Sequence, residues 1–446
     1  MLLLSATFAV ELLVILFSIH KATRCFSMFS IPGSAFIFVF LWHGWYVPVF
    51  LLNGHLAELT LNNALRLRFF AVLSLMYIFF FLGIVFVKEL LHFKSNEILE
   101  YNRKRVIHDL KVSYPLLYAI LAGMIVLTFY FLLKTPASPI AYIRYAGKTE
   151  LLRQLRSQVG RGTTIDYLFG IGRFVIFPLV TLAFIGIARY ERTLKAKLVS
   201  SAAFVTTSVA LVSTLHKGDI FPFLSMVIVF LWLYKGKVRY PLKKLILIAC
   251  TFILLASGIY AAYYGTSLIG GFRALFSRIT VGPNYSVALH LMYFPDKFGF
   301  LYGRSIGLLN RILGNKNFLP LGLLVAQARG IPNSSFNAAF FTGLWADFGY
   351  IGVIIGSFLL GVYLQWLQVW LVRSTKSITR VALFAYLLIT VCWLANVSIY
   401  PALLTFGLVS GPLFILSIQF VTDILRSAKV DSKSRNAETC PTEERP

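Results

Sequence analysis

Long apolar runs separated by shorter polar segments dominate the pattern of this chain. A helix needs about 20 apolar residues to cross about 30 Å of hydrocarbon, and a helix satisfies all its backbone polar groups internally. Eleven runs meet this requirement, with predicted spans at 1–19, 28–52, 69–87, 114–133, 167–188, 198–215, 219–234, 245–264, 349–371, 381–400 and 402–423. The pattern therefore predicts an all-α, polytopic integral membrane protein.

The segments between and around these spans complete the predicted layout. Residues 134–166 separate the fourth and fifth spans, and 266–348 separate the eighth and ninth, within one membrane domain of residues 1–426. Residues 427–446 are rich in Ser, Lys, Arg, Glu and Pro, which is typical of a disordered tail. The first span contains Glu11 and has no basic region before it, so we interpret it as a retained helix instead of a cleaved signal peptide.

Composition excludes a water-soluble core. Hydrophobic residues make up 58% of the 446 and charged residues only 13%, whereas about a quarter of the residues of a soluble domain are charged. Cysteine adds little, because the four thiols are scattered and have neither CxxC spacing nor a His partner at ligand spacing. The sequence predicts neither a disulfide framework nor a zinc site.

Basic residues predict the orientation of the spans. Lys and Arg accumulate in the short loops on the cytoplasmic side, while long loops escape this rule. With 134–166 and 266–348 set aside, 25 basic residues fall on one side of the predicted spans and 3 on the other. The amino terminus and both long loops are therefore predicted to lie outside the cytoplasm, and the carboxyl terminus inside it.

The first long loop is strongly basic for an outer segment. Residues 134–166 carry six Lys and Arg residues against Glu150 and Asp166. One interpretation is an interfacial amphipathic helix, since Leu151 and Leu155 share a face at helical spacing and the basic residues would rest on headgroups. The other is a basic surface that handles an anionic substrate, because fixed arginines hold phosphate well. The two interpretations are compatible.

The second long loop combines basic and aromatic residues. Residues 266–348 carry seven Lys and Arg against two Asp, and Gly and Pro interrupt a dense series of Phe, Tyr and Leu. Such a segment is predicted to form short helices packed on the outer ends of the spans, as a lid or cleft wall. No nucleic-acid-binding signature is present. A sugar carried on a lipid pyrophosphate fits better, because sugars stack on aromatic rings and Arg or Lys offsets the phosphate charge.

Four motifs between residues 198 and 360 carry a resemblance to a known family. They are Ser213-Thr214-Leu215-His216-Lys217-Gly218-Asp219; Ser277-Arg278-Ile279; Tyr293-Phe294-Pro295 with Gly303-Arg304-Ser305-Ile306-Gly307; and Asn333-Ser334-Ser335-Phe336-Asn337 followed by Asp347-Phe348-Gly349-Tyr350-Ile351-Gly352. Together they resemble the bacterial O-antigen polymerases, or oligosaccharide repeat unit polymerases, which are related to the O-antigen ligases. Lys217 stands at the Arg position of the family's Ser-Arg-Gly turn. Ligases and many polymerases have a His where this chain has Asn333 to Asn337, so no catalytic His carries over.

The resemblance implies an activity at the periplasmic face of the bacterial inner membrane. A growing glycan would pass from undecaprenyl pyrophosphate to the hydroxyl of the next lipid-linked repeat unit, extending O-antigen or a similar surface polysaccharide. The implied partners are the undecaprenyl-pyrophosphate-linked oligosaccharide, the bilayer and, as a further candidate, a chain-length regulator protein; nucleic acid is not among them. No cofactor or metal is expected, because the outer loops contain no Asp-x-Asp pair.

The leaving pyrophosphate calls for fixed cations, and losing one such donor typically costs about 2.7–4 kcal/mol. Lys217 and Arg278 are the first candidates for a catalytic clamp, and Asp347 is the candidate base for the acceptor hydroxyl. The candidate substrate-binding residues are Arg161, Arg173, Arg304, Arg311, Asn333 and Asn337. Arg161 and Arg311 rank above their neighbours because each precedes a glycine by eleven residues, a spacing that some family members show.

Each candidate also has a simpler structural interpretation. Lys217 would form a surface ion pair with Asp219. Arg278 and Arg173 would extend their side chains to headgroups from helix ends. Asp347 would cap a helix N-terminus, since a carboxylate precedes Phe348-Gly349 at the predicted start of the ninth span. The two nearby histidines, His216 and His290, would be hydrogen-bonded structural residues.

Three other functions compete with polymerisation. A transporter of lipid-linked oligosaccharide would usually show paired internal repeats, which the sequence lacks, and small outer loops. An O-antigen ligase would use the same donor with lipid A core as acceptor, and the missing His weighs against it. A glycosyltransferase using a lipid monophosphate sugar would place an acidic pair in its first outer loop, where residues 53–68 offer only Glu58.

Overall fold

The computed structural model describes residues 1–23, 29–52, 55–56, 59–110, 114–134, 145, 148, 151, 164–213, 219–236, 242–306, 319–331, 335–337 and 339–438. Across these ranges the chain is helical, and the only strands found there are the two-residue pair β1 (His55–Leu56) and β2 (Leu59–Thr60). This antiparallel pair forms a short turn before the second long apolar helix, Asn63–Leu90.

Seventeen α-helices occur in the described ranges. They are α1 (Leu2–Thr23), α2 (Ile31–Val39), α3 (Val47–Leu52), α4 (Asn63–Leu90), α5 (Asn96–Arg103), α6 (Tyr114–Lys134), α7 (Thr164–Ile171), α8 (Phe177–Glu191), α9 (Leu194–Val212), α10 (Ile220–Tyr234), α11 (Leu242–Tyr264), α12 (Leu268–Tyr293), α13 (Leu321–Ala328), α14 (Phe340–Arg373), α15 (Ile378–Thr390), α16 (Ile399–Leu404) and α17 (Ser410–Glu438). Two π-helical turns, Phe40–Gly44 and Gly172–Ile176, follow α2 and α7, and a 3-10 turn, Val391–Ala395, follows α15.

Seven helical segments in the described ranges are long and apolar enough to cross a membrane. They are Leu2–Thr23, Asn63–Leu90, Tyr114–Lys134, Leu168–Glu191, Leu194–Val212, Phe340–Arg373 and Ile378–Ala395. The bent pair Cys250–Tyr264 and Leu268–Tyr293 gives an eighth if it counts as one span, and Ile31–Gly44, Ile220–Tyr234 and Ser410–Leu425 are shorter apolar helices. The prediction of a helical, multi-span membrane protein is confirmed, while the count of eleven spans stays a prediction.

The segment predicted as the large outer loop starts with a long helix. The chain turns by 104° between α11 and α12. Gly265 adopts a positive φ of 62°, and the Ser267 side chain caps α12 by accepting from the Gly270 N–H at 3.2 Å. At the other end of this segment, α14 begins at Phe340 instead of the predicted residue 349. The predicted boundary coincides with a kink at Gly349.

The tail also differs from its prediction in part. The structure continues α17 as far as Glu438, whereas a disordered segment was predicted from residue 427. Residues 439–446 lie outside the described part of the chain.

Helices α4 and α14 form a parallel pair at the centre of the bundle. Near their N-terminal ends, the Arg68 guanidinium lies 5.7 Å from the ring centroid of Trp345. Near their C-terminal ends, Arg373 donates to the carbonyl of Leu91 at 2.9 Å. Between these points the backbones touch, because a Cβ atom at Gly83 would lie 2.2 Å from the Phe358 carbonyl oxygen. Small residues permit this close approach, as in other membrane helix pairs.

The pair defines two ends of the bundle, which we call the Asp347 end and the Glu97 end. Segments that the charge pattern assigns to one side of the membrane converge at the Glu97 end. Lys376 donates to the carbonyl of Asn102 at 2.7 Å, and Arg373 pairs with Glu97 at 2.9 Å. The C-terminal end of α8 joins them, since the His108 ring lies 3.9 Å from the carboxylate of Glu191, the last residue of α8.

Candidate functional site

Asp347 fastens part of the predicted large loop to the bundle. Its side chain is fully buried, two turns inside α14. The backbone N–H groups of Gly303 and Ser305 donate to Oδ1 at 3.1 and 3.3 Å. The Ser305 hydroxyl donates to Oδ2, and the Tyr400 hydroxyl donates to the same oxygen at 3.0 Å. Four donors therefore surround one carboxylate.

This geometry corrects the predicted role of Asp347 as a helix cap. The helix breaks at Gly349, which coincides with the predicted start of the ninth span, but the Asp347 side chain accepts from the loop and from Tyr400 instead of capping the segment after the break. Both carboxylate oxygens of Asp347 accept hydrogen bonds, and the side chain has no exposed surface. Asp347 therefore serves to position the loop.

The kink at Gly349 completes this attachment. Gly349 has φ 60° and ψ −142°, a conformation that a residue with a side chain rarely adopts. The carbonyls of Ala346 and Asp347 accept from the N–H groups of Leu301 and Tyr302 at 2.9 and 3.0 Å. Backbone N–H groups of the loop thus donate to the helix carbonyls next to the break. A Cβ atom at Gly349 would also lie 2.9 Å from the ring of Phe300, so the site accepts glycine alone without rearrangement.

Arg68 provides a second attachment, which the sequence interpretation missed. Its guanidinium donates to the Leu291 carbonyl at 2.7 Å and pairs with Asp296 at 3.1 Å. The ring of Trp345 lies on the same guanidinium, and its Nε1 donates to the carbonyl of Phe294 at 2.9 Å. The start of α4, the end of α12 and the start of α14 are held together here. The available signal was an Arg immediately before a predicted span and one of only two Asp residues in the basic loop.

The folded segment between α11 and α14 carries exposed basic residues. Arg278 is exposed on α12, and Phe272 and Phe276 of the same helix are exposed on a different side. Arg304 is exposed in the loop that Asp347 holds, immediately after the left-handed residues Tyr302 and Gly303. The structure thus places these two predicted arginines on one fastened segment, which we call the cap and define as residues 268–306.

Asn337 lies beside the cap with its side chain exposed. Its carbonyl accepts from the Ser286 hydroxyl on α12. The preceding residue, Phe336, donates its N–H to the Gly322 carbonyl at 3.1 Å and packs its ring against Tyr285. These contacts attach the Asn-containing motif to the cap. His290, also on α12, is buried with Nδ1 2.7 Å from the Ser286 carbonyl, which supports its structural interpretation.

Arg173 is buried, which contradicts the simpler of its two interpretations, extension of the side chain to headgroups. It lies in the π-helical turn Gly172–Ile176 and is 9% exposed. Its guanidinium is 3.5 Å from the Asp219 carboxylate and 4.2 Å from the ring centroid of Phe174. The side chain thus meets a carboxylate next to the start of α10 inside the protein instead of reaching toward lipid headgroups. Such turns within helices often occur at functional sites.

A buried polar contact lies near this turn, and the sequence interpretation did not find it. His43, in the other π-helical turn, has Nδ1 3.3 Å from the Asn284 side-chain oxygen and Nε2 2.8 Å from the Ala395 carbonyl. Asn284 belongs to the cap, so the cap also contacts the interior of the bundle. The rings of Trp393 and Phe174 meet edge to face with centroids 5.9 Å apart, which connects the 3-10 turn to the Arg173 turn. Irregular turns at this depth are tolerated because protein surrounds them.

Four predicted residues lie outside the described part of the chain. They are Lys217, Arg161, Arg311 and Asn333, together with His216. The structure places Arg278 and Arg304 on the cap, Asn337 beside it through Ser286, Asp347 in contact with it through Gly303 and Ser305, and Arg173 in a π-helical turn of the bundle. Among the described residues, no three His, Cys, Asp or Glu side chains come together as a metal site.

The apolar helices and their two contrasting ends define the class of this protein: it is a multi-pass, α-helical membrane protein. Comparison of the chain with protein-family models, with curated proteins and with solved structures gave no match.

Proposed function

We propose that this protein polymerises undecaprenyl-pyrophosphate-linked oligosaccharide repeat units into O-antigen or a similar surface polysaccharide. The observation that carries the proposal is the cap. It is attached to the bundle through Asp347, through Arg68 and through Asn284. It nevertheless exposes Arg278 and Arg304. A segment that served only as a connector would not require three separate polar attachments.

The proposed reaction transfers the growing glycan between two lipid-linked substrates. The bond between the sugar C1 and the donor pyrophosphate breaks, and C1 bonds to the acceptor hydroxyl oxygen. The undecaprenyl pyrophosphate leaves with the bonding electrons, and the acceptor proton goes to a base. Positive groups held in place before the reaction stabilise this developing charge with little reorganisation.

Among the described residues, Arg278 is the first candidate to bind the departing pyrophosphate, and Arg304 is the second. A planar guanidinium grips two phosphate oxygens at once, which an ammonium does not. Both side chains belong to the fastened cap, so their positions depend on the bundle. Lys217, Arg161 and Arg311 remain proposed cations, and Asn333 and Asn337 proposed sugar contacts.

Asp347 is proposed as a positioning residue and not as the base. Its oxygens already accept from Gly303, Ser305 and Tyr400. Arg173 is proposed to act through Asp219, which immediately precedes α10 and is the last residue of the Lys217 motif. The pair would hold that end of α10 near the π-helical turn.

The topology belongs to the same proposal: eleven spans in the inner membrane, with the amino terminus periplasmic and the carboxyl terminus cytoplasmic. The parallel pairing of α4 and α14 supports it, because an odd number of crossings must separate two parallel spans. The segments α6, Leu168–Glu191, α9, α10 and α11 supply five. The proposal thus includes the short helix α10 as a span and counts the bent pair α11 and α12 as one crossing. Cysteines at the exposed positions Lys297 and Lys104 should react with an impermeant thiol reagent in intact cells at 297 only.

The proposed activity is tested by the length distribution of surface polysaccharide. Loss of a polymerase leaves a single repeat unit on the lipid anchor. Loss of a ligase leaves none there while polymer accumulates on its carrier, and loss of an exporter traps single units inside the cell. A deletion strain that shows either of the last two patterns would replace the proposal with that function.

The cap is tested by Arg278→Ala. We expect transfer to slow by about 10²–10³ fold, the typical loss for one preorganised donor. Arg278→Lys should recover only part of the rate, because the charge stays while the planar fork is lost. The matched control is Arg273→Ala, since Arg273 is an exposed Arg five residues earlier, on another side of the same helix. Full-length polymer from Arg278→Ala at matched membrane abundance would contradict the assignment.

A further inference from the structure

An open groove of 390 Å³ lies at the Glu97 end of the bundle, far from the cap. The C-terminal turns of α14 form one wall with Trp366, Trp370 and Arg373, while Leu91 and Arg380 contribute from α4 and α15. The spacing of 366, 370 and 373 places these three side chains on one face of the helix. One wall of the groove is therefore aromatic at one end and basic at the other.

The aromatic part has the character of a membrane interface. The rings of Trp366 and Trp370 are stacked, with centroids 6.3 Å apart and an interplanar angle of 7°. Trp366 is 49% exposed, and Tyr363 stacks on its other side at 6.5 Å. Trp and Tyr are enriched where the hydrocarbon meets the headgroups, because their rings have an apolar body and a polar tip. The groove is thus open to lipid at headgroup level.

The basic part offers donors for an anion. Arg373 donates to Glu97 at 2.9 Å and to the Leu91 carbonyl. Arg380 donates to the Thr375 hydroxyl at 2.9 Å, and its Nε is buried with no hydrogen-bond partner in the described part of the chain. Two guanidinium groups therefore line the groove, and the ion pair with Glu97 compensates one of them.

We propose that this groove binds the headgroup of an anionic glycerophospholipid, with an acyl chain lying along the tryptophan face. Charge complementarity selects the anionic phosphate, and the adjoining stack of Trp366 and Trp370 selects a ligand with a hydrocarbon tail. Zwitterionic lipids meet the same aromatic wall but add a cation next to the two arginines. The proposal depends neither on the polymerase activity nor on which end faces the cytoplasm.

The first test uses the intact wild-type protein reconstituted with brominated lipids, which quench tryptophan fluorescence on contact. Phosphatidylglycerol brominated in its acyl chains should quench more strongly than brominated phosphatidylcholine at the same mole fraction. The excess should disappear in the double variant Trp366→Phe, Trp370→Phe, which keeps an apolar aromatic wall. Equal quenching by the two lipids in the wild-type protein would overturn the proposal.

The second test measures phosphatidylglycerol retained by the detergent-purified full chain, using native mass spectrometry. Arg380→Gln should lower the apparent affinity roughly fivefold, the usual effect of one basic residue near an anionic headgroup. The matched control is Arg103→Gln, an exposed arginine on α5 at the same end that does not line the groove. Retention in Arg380→Gln equal to that in Arg103→Gln, with both variants monodisperse, would contradict the site.

Discussion

Two arginine–carboxylate pairs lie at opposite ends of this bundle and differ in solvation more than in length. Arg173 and Asp219 are 3.5 Å apart, with side chains only 10% and 8% exposed. Arg373 and Glu97 are closer, at 2.9 Å, but their side chains are 44% and 25% exposed. Water competes for the charged groups of the exposed pair and screens them. In the buried pair, each charged group has lost its hydration and interacts with its partner instead. The shorter contact is therefore expected to contribute less to stability.

The two ends differ in the same way beyond these pairs. At the Asp347 end, the buried carboxylate of Asp347 serves loop N–H groups and hydroxyls, and Arg68 holds backbone carbonyls. At the Glu97 end, Arg373 and Arg380 line an open groove. Charged groups at the Asp347 end mainly hold the cap on the bundle, whereas those at the Glu97 end remain available to solvent and lipid.

The largest expected effect comes from breaking the buried pair. Arg173→Met or Asp219→Leu alone leaves one buried charge without its partner, which costs about 3–5 kcal/mol of unfolding free energy. Replacing both should recover most of that loss, because no unpaired charge remains. Unfolding in mixed micelles measures the three variants. Strictly additive losses would show that the two residues do not act as a pair.

Substitution of Asp347 should have the second largest effect. Asp347→Asn keeps one acceptor but removes the charge that four donors surround, so we expect a loss of about 1.5–3 kcal/mol. The loop should also detach more often, exposing the bond after Arg304 to trypsin. Tyr400→Phe is the control, since it removes a single donor to Oδ2 and leaves the backbone contacts of Gly303 and Ser305. Unchanged cleavage in Asp347→Asn would argue against the fastening role.

Sequence alone predicted the helical membrane architecture because long apolar runs have few alternatives in structure. The sequence did not predict the attachments at the Asp347 end, because each joins residues far apart in the chain, such as Arg68 with Asp296. The motif around Asp347 remains a predicted site, and the contacts of Asp347 depend on a kink at Gly349 whose geometry the sequence does not specify. Arg173 was a candidate substrate-binding residue inside the predicted span 167–188, and the sequence did not predict the π-helical turn in which it lies.

Lys376 extends the comparison, because it is a buried cation at the otherwise solvated end. Burial lowers the pKa of Lys376 to about 8, and its ammonium donates to the Asn102 carbonyl. Between pH 8 and its ordinary value of 10.5, the unfolded chain binds more protons than the folded one, so stability rises with pH. The wild-type protein should gain about 1–2 kcal/mol from this residue between pH 8 and pH 9.5.

The variant Lys376→Met isolates that contribution, because every other titrating group stays in place. Its unfolding free energy, measured beside that of the wild-type protein across the same pH range, should lack the gain. Parallel pH profiles for the two proteins would mean that Lys376 is hydrated in the folded state.

The smallest effect should come from Glu97→Gln at the exposed pair. Partial burial raises the pKa of Glu97, but hydrogen bonds from Arg373 and from the Lys94 N–H more than offset this and hold it below its ordinary value of 4.5. The pair therefore stabilises the fold above pH 4.5, and its contribution is lost as the pH falls through the lower folded pKa. At pH 7 the substitution should cost about 0–1 kcal/mol and less at high salt. Salt should not reduce the loss of unfolding free energy in the Arg173 variants. If Glu97→Gln lost as much unfolding free energy as they do, solvation would not explain why the two ends differ.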